Sequence, residues 1–314
     1  MSDPPAHSAS ASRSERANAR LFHHSMYPTE RIAAARRRRG LSVSVCLPAK
    51  ECADTVGAIV ASLMSLGEAG ALDEVVVIDA ASRDGTAEIA ERAGARVHQE
   101  AELMTPCGPV LGKGDAMWRA LSVLRGELIC FLDADTEEFS PHFLTGLLGP
   151  LLCEPGVSFV KGYYRRPFTA GNISLADGGG RVNHLVARPA LMLFYPPLGV
   201  VRQPLAGEVA ARRTLLERLP FTTGYGVEIG MLIDAWRAVG LEGIGQVDLD
   251  EHRNRHQPLS ALTSMSLAVL GTIAGRLERE GRLAPDAGSA AENGRAASAS
   301  APPERPPLGL LGRT

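Results

Sequence analysis

Apolar and polar positions along this chain fall into blocks of two alternating periods. An apolar run of strand length covers residues 41–47, and helical spacing follows at 55–66. A second apolar run at 74–78 closes on Asp79, and helical spacing returns at 86–93. Arg96 and Val97 predict a brief third strand, residues 114–124 a helix, and the almost wholly apolar block 127–132 a fourth strand. Apolar strands that alternate with helices predict parallel βαβ units with both sheet faces covered. The expected class is therefore α/β, with a Rossmann-like sheet whose ligands bind beyond the carboxyl ends of the strands. Polar residues gather at those ends: Pro48 to Glu51, then Asp79, then Asp133 to Asp135.

From residue 157 the pattern is less regular, with a short strand at 158–161, helices at 182–193 and 228–239, and a strand at 245–249. There is no internal repeat. The flanks differ in composition. Residues 1–40, rich in Ser, Ala, Pro and Arg and ending in the run Arg36 to Arg39, read as a flexible arm; residues 283–314 read as a disordered tail. The expected division is an arm at 1–40, an α/β half at 41–156, a less regular half with C-terminal helices at 157–282, and a tail at 283–314.

Charge and cysteine content narrow the partners. A net charge of -2 gives no footprint for a polyanion such as nucleic acid. Five cysteines without a CxxC spacing suit reduced thiols in the cytoplasm. No apolar signal segment is evident. The stretch 259–275 is broken by Ser and Thr, falls short of the roughly 20 residues that a bilayer span needs, and reads as a packed helix. Lysine is confined to Lys50, Lys113 and Lys161 while arginine is abundant, so a retained lysine suggests a need for a compact point charge.

Candidate chemistry concentrates at the strand ends. Asp133 and Asp135, one residue apart after a buried strand, can divide the work of holding a divalent cation and contacting a sugar or ribose; the alternative is a pair of turn aspartates. Asp79 can accept a hydrogen bond from a nucleobase or open a turn. Gly112-Lys113-Gly114 ahead of a helix can cradle phosphate, although a Walker spacing is missing. Gly178-Gly179-Gly180-Arg181 ahead of the helix at 182 offers free amides and a guanidinium to a carboxylate or phosphate, or is a flexible loop. Tyr163 to Arg166 either line the same cleft or form a solvated basic edge. His252-Arg253-Asn254-Arg255-His256 places two imidazoles where one can complete a metal site.

These blocks resemble glucosyl-3-phosphoglycerate synthases of the actinobacterial type. Such retaining enzymes of GT-A fold make glucosyl-3-phosphoglycerate from UDP-glucose and 3-phosphoglycerate with Mg²⁺ or Mn²⁺. The resemblance spans residues 41–273. It rests on LPA at 47–49, GKG at 112–114 with Trp118, DAD at 133–135, YYRRP at 163–167, GGGRV at 178–182, LVARP at 185–189, QPL at 203–205 and GYGVEIG at 224–230. It implies that Pro48, Ala49, Asp79 and Lys113 hold the uridine diphosphate and that Asp133 and Ala134 contact the donor. Asp135 would ligate metal. Gly180, Arg181, Val182, Asn183 and Asn254 would bind 3-phosphoglycerate. Tyr225, Gly226 and Glu228 would face the glucose, with Glu228 and Asp133 the catalytic pair.

Three positions depart from the family pattern. Lys50-Glu51-Cys52 replaces an acidic stretch, so the ribose contact has moved to Glu51 or been lost. Asn183 replaces a threonine. HRN at 252–254 matches directly, whereas a gap-free match puts Asn254 where the histidine belongs, with His256 two residues on; His252 and His256 are both metal candidates. The resemblance implies attack by the acceptor on the face the diphosphate leaves, and a cytoplasmic homodimer with no membrane span. The alternatives are a GDP-mannose-dependent mannosyl-3-phosphoglycerate synthase, a polyprenyl-phosphate glycosyltransferase, and a non-catalytic nucleotide-binding module.

Overall fold

The computed structural model describes residues 20–170, 173–175, 179–253, 259–283 and 301–311. In chain order the first half comprises β1 (Arg20–His23), α1 (Thr29–Arg39), β2 (Val43–Ala49), α2 (Ala53–Glu68), β3 (Glu74–Asp79), α3 (Thr86–Arg92), β4 (Arg96–Gln99), α4 (Lys113–Ala120), β5 (Leu128–Phe131) and α5 (His142–Cys153). The second half comprises β6 (Phe159–Arg165), the hairpin β7 (Phe168–Ala170) and β8 (Ile173–Leu175), α6 (Arg188–Phe194), β9 (Val209–Arg212), α7 (Arg213–Leu216) and β10 (Phe221–Thr222). It ends with α8 (Val227–Val239), β11 (Ile244–Glu251), α9 (Leu259–Arg279) and β12 (Glu304–Arg305).

Eight strands form one sheet in the order β1-β11-β6-β9-β5-β2-β3-β4. Neighbours run parallel except at β9, which lies antiparallel between β5 and β6 and joins the two halves. The apolar strands are buried on both faces. Val43, Val45 and Leu47 of β2 join a core shared with α1, α2 and α5, whereas Cys46 faces a second core shared with α4, α8 and α9. Each fully buried Val or Leu contributes about 1.5–3 kcal/mol, so this two-sided burial fixes where the strands end. All the strand-helix blocks expected at 41–132 are present, with bounds shifted by a few residues.

Residues 20–39 do not behave as the expected arm. β1 pairs in parallel with β11, and α1 packs on α5, with Tyr27 fully buried. The apolar face of α1 is mostly alanine, and its last turn holds Arg36 to Arg39, where cations suit the helix dipole. Composition hid this helix. Arg36 donates to the carbonyls of Leu41 (3.0 Å) and Gly70 (2.8 Å) and pairs with Asp73. The expected tail is corrected in part as well: residues 301–311 dock, with β12 antiparallel to β10. The helix expected at 182–193 opens as a π-helical turn at Asn183–Ala187 and becomes α-helical only from Arg188. Helix α9 runs past the expected stop; by length and composition alone Ser260–Arg279 could cross a membrane, with mean hydropathy 1.2. Its inner face packs on the protein, and the buried Arg276 pairs with Asp234 and Glu304.

Candidate active site

A cavity of about 750 Å³ opens beyond the carboxyl ends of β2, β3 and β5, where parallel strands place their following loops. Its walls include Pro48 and Ala49 from β2, Asp133 to Asp135 after β5, and Gly180 to Asn183 ahead of α6.

One end of the cavity has unpaired acceptors at or behind its wall. Asp79, between the wall residues Ile78 and Ala80 but not itself on the lining, is buried; its Oδ2 accepts from the Ser82 amide (3.1 Å) and Gln99 Nε2 (3.0 Å), while Oδ1 has no partner. Glu100, on the wall beside Gln99, is likewise buried with Oε1 unpartnered, and burial pushes its carboxyl up to about 7. Buried acceptors without partners are costly and suit the N–H edge of a base. Lys50 and Cys52 line this end too, but Glu51 does not. Glu51 sits at φ 53, and its carboxylate accepts from the Arg83 amide (3.0 Å), bracing the loop ahead of α3. The ribose contact expected there is therefore not at the wall.

At the centre, Lys113 Nζ lies 2.6 Å from Asp133 Oδ1 and 2.8 Å from Glu228 Oε1. Burial alone would lower this ammonium, but the two carboxylates outweigh it and hold Lys113 well above its ordinary value. The approach depends on glycine. Gly112 starts the turn at φ 87, and a Cβ on Gly114 would overlap the Thr222 carbonyl oxygen, so only glycine lets α4 approach β10 closely. Gly207 similarly leaves room for the Asp133 carboxylate. Lys161 is fully enclosed, pushed down to about 8 by burial, and donates to the Ala206 carbonyl just before Gly207. Of the three lysines, Lys161 is thus buried, while Lys113 and Lys50 stand on the cavity wall.

Beside Lys113 lies a set of groups that could hold a cation. Asp133, Glu208 and His252 each offer a ligand atom, all within 4.8 Å of one another. A break in register between Asp248 and Glu251, with Asp250 at φ 64, re-aims the end of β11, and His252 is buried behind it. Its Nε2 lies 3.1 Å from both Glu208 Oε1 and Thr136 Oγ1, and its Nδ1 is buried without a partner. Tyr164 stacks on the imidazole at 4.4 Å and donates to Glu208 Oε2 (2.7 Å). Burial would raise Glu208, but the charge and hydrogen bond of His252, with the Tyr164 bond and Arg166, hold it far below the usual carboxylate range. Asp135 is solvent-exposed yet enclosed by the cleft, and desolvation followed by the Asp133 charge raises its carboxyl. Carboxylates with one imidazole nitrogen suit Mg²⁺ or Mn²⁺, and the buried, unpartnered His252 Nδ1 leaves this ring with polar capacity to spare. Of the other metal and acceptor candidates, Asn254 and His256 lie outside the described residues.

The far end is cationic. Gly180 stands at φ 67 and Arg181 follows it on the wall; Arg166, from the end of β6, faces them and donates to Tyr164 Oη (3.1 Å). Strand alternation explains the four-residue run: Tyr164 and Arg166 line the cavity, whereas Tyr163 and Arg165 do not. Val182 is buried. The Asn183 side chain is spent on the backbone, bonding the Arg202 carbonyl and Leu205 amide at 3.4 Å each. Tyr225, 55 % exposed, overhangs the cleft ahead of Glu228, with Gly226 buried beneath it. Sequence reasoning missed Glu100, Gly207 and Glu208. The signal for Glu208 was an acid directly before the apolar run of β9, in a strand that otherwise has no use for charge.

The family model for glycosyl transferase family 2 matches residues 44–176. The glucosyl-3-phosphoglycerate synthase of Mycolicibacterium smegmatis is 44% identical over 239 residues, 76% of this chain and 78% of that protein. The enzyme of that name from Petrotoga mobilis is 39% identical, over 84% of this chain and 82% of its own. Among solved structures, mannosyl-3-phosphoglycerate synthase from Rubrobacter xylanophilus superposes with a TM-score of 0.86 at 43% identity, covering 96% of this chain and 100% of that one. Glucosyl-3-phosphoglycerate synthase from Mycobacterium tuberculosis, in complex with Mn²⁺, UDP-glucose and phosphoglyceric acid, gives 0.80 at 38% identity, covering 93% and 99%.

Proposed function

The chain belongs to the glucosyl-3-phosphoglycerate synthase family of GT-A glycosyltransferases, and from this premise we propose a residue-level account in which it moves glucose from UDP-glucose to 3-phosphoglycerate with retention. The observation that carries the account is the Asp133–Lys113–Glu228 ion triad between an acceptor-lined base end and a cationic far end of one cavity. Asp79 takes the N–H of the base, with Pro48 and Ala49 against the nucleoside. Lys113 faces the diphosphate, and Asp133 with Ala134 contacts the donor. Asp135 and His252, the latter oriented by Glu208 within the Asp133–Glu208–His252 cluster, would hold the divalent cation, which would supply positive charge for the departing diphosphate. Gly180, Arg181 and Arg166 hold the phosphate and carboxylate of 3-phosphoglycerate, the guanidiniums as bidentate forks.

The bond from the anomeric carbon to the diphosphate breaks as the bond to the acceptor hydroxyl forms on the same face. Asp133 and Glu228 are both engaged by the single Lys113 ammonium, which blunts either one as a covalent nucleophile and favours direct transfer. Glu228 then serves the sugar hydroxyls, and positioning with electrostatics supplies most of the rate. Proton NMR of the product tests this: an α-glycosidic anomeric signal that appears only with 3-phosphoglycerate is expected, and a β signal defeats the front-face account.

GDP-mannose is the second reading for the donor. Asp79 Oδ1 and Glu100 Oε1 are two unpaired acceptors at the base end, and guanine offers more N–H donors than uracil. The five cysteines are free, as suits a reducing cytoplasm, and the buried Arg276 of α9 favours a packed helix over a span. Leu185 on the 183–187 turn, which packs against α9, Met192 and Leu193 of α6, and Leu267 and Leu270 of α9 are all exposed apolar residues, the kind of surface that a second copy would cover in a homodimer. A dimer mass in light scattering that Leu193→Glu halves supports it, and a monomeric parent chain removes it.

A further inference from the structure

The C-terminal residues 301–311 lie across the two segments that deliver Lys113 and Glu228. Glu304 and Arg305 pair with Thr222 and Phe221. The amide and hydroxyl of Thr223 both donate to the Pro303 carbonyl, at 2.9 and 2.8 Å. Arg305 reaches the other segment. Its Nε and Nη2 grip the two oxygens of Asp115 at 2.7 and 2.9 Å, and its Nη2 also donates to the Pro109 carbonyl at 2.7 Å. Its Nη1 donates to the Cys107 carbonyl, and its guanidinium lies 5.5 Å from the centre of the Trp118 ring. Trp118 Nε1 in turn donates to the Pro306 carbonyl at 2.8 Å.

Asp115 stands in the first turn of α4, two residues after Lys113, and Thr223 stands five before Glu228. One short peptide therefore ties the loop and helix start that carry Lys113 to the strand that leads to Tyr225 and Glu228. Asp115 is fully buried but does not need Arg305 to balance its charge, because Arg119 Nε lies 3.1 Å away and the Leu111 amide donates at 2.9 Å. Losing Arg305 would leave a paired carboxylate and an intact core, and would free the loop ahead of Lys113.

We propose that the docked C-terminal strap, acting chiefly through Arg305 on Asp115, is a positioning element of the transfer site that holds Lys113 in register with Glu228 and Asp133. The proposal rests on the transferase reading above and adds a contribution from a segment that touches no substrate. A bidentate grip that also bonds two carbonyls is specific to arginine, so lysine cannot replace it.

The test compares Arg305→Ala and Arg305→Lys in the full chain with a chain ending at residue 300, to which a synthetic peptide of residues 301–311 is added in trans. Turnover and the Kd of UDP with Mn²⁺ are both measured. Both point variants should lower kcat by about 10- to 100-fold and weaken UDP binding by roughly tenfold, the cost of a small displacement at a reacting centre. The KM for 3-phosphoglycerate, whose site lies at the other end of the cavity, should hold. The shortened chain should regain activity saturably with the peptide, and not with the peptide carrying Arg305→Ala. If the shortened chain does not fold, the point variants decide. Variants that melt earlier yet turn over and bind UDP normally overturn the proposal, as does rescue by Arg305→Lys. A parent chain that binds UDP but makes no glucosylated product defeats the transferase reading instead, and the strap is then judged on UDP binding.

Discussion

Gly207→Ala is the sharpest perturbation of the site, because it adds one methyl and no chemistry. Gly207 has no left-handed backbone, so alanine costs nothing locally. Its Cβ would stand 2.5 Å from Asp133 Cγ and closer still to both carboxylate oxygens. Carbon atoms at rest sit about 3.5–4.0 Å apart, so the carboxylate must retreat by about 1 Å. That breaks the 2.6 Å contact with Lys113 and removes a member of the Asp133, Glu208 and His252 cluster. A misplacement of that size costs about 10²-fold in rate, or about 2.7 kcal/mol of transition-state stabilisation. The fold should survive, since a short side chain can rotate towards the cavity. The expected result is a kcat about 100-fold down by UDP release, with a melting temperature by circular dichroism within about 2 °C of the parent. A folded variant retaining kcat within about threefold would refute the placement of Asp133 at the reacting centre.

Other perturbations separate the remaining roles. Glu208→Gln keeps shape but loses the charge that orients His252, and should weaken Mn²⁺ binding by about 10- to 100-fold in calorimetry; unchanged affinity removes Glu208 from the metal site. Arg181→Ala should raise the KM for 3-phosphoglycerate by about 10- to 100-fold, a lost charged hydrogen bond, with the Kd of UDP unchanged; an unchanged KM moves the acceptor elsewhere. Glu100 is raised from 4.5 to about 7, so the folded chain holds its proton more tightly than the unfolded one. The stability contribution is full below the unfolded value and lost as pH rises through about 7, by at most about 3 kcal/mol. Glu100→Gln should therefore gain stability against urea near pH 8 and little near pH 5; an equal effect at both contradicts a buried ionising carboxyl. A Cβ on Gly149 would meet the Tyr27 ring, 2.5 Å from Cδ1, so Gly149→Ala should cost about 1–3 kcal/mol; no cost would mean the segment before β2 is as loose as its composition suggests.

The strands that end in Pro48, Asp79 and Asp133 were legible because parallel strands are continuously apolar and their ligand-facing ends are not. Lys113, Glu228 and Arg181 followed from motif and from flanking glycines. The elements that read poorly are those whose stability comes from partners far along the chain. β9 is four residues long and earns its place only between β5 and β6, so the Glu208 that it delivers beside His252 had no local pattern to announce it. Helix α1 buries Ile32, Ala33 and Ala35, a face too small and too alanine-rich to stand out beside four arginines. Residues 301–311 are held by Arg305, Trp118 and Thr223 contacts that cross 80 positions or more of sequence, which no window of composition samples. Glu51 misled for the opposite reason: it is adjacent in sequence to the cavity wall, but a positive φ turns it towards Arg83.

The most direct measurement is turnover with UDP-glucose and GDP-mannose in parallel, with 3-phosphoglycerate as acceptor, with Mn²⁺ or Mg²⁺ and with an EDTA control. The account predicts nucleotide release that requires 3-phosphoglycerate, stops with EDTA, and is faster from UDP-glucose. Faster release from GDP-mannose would overturn the donor, and release that ignores both 3-phosphoglycerate and EDTA would contradict the site.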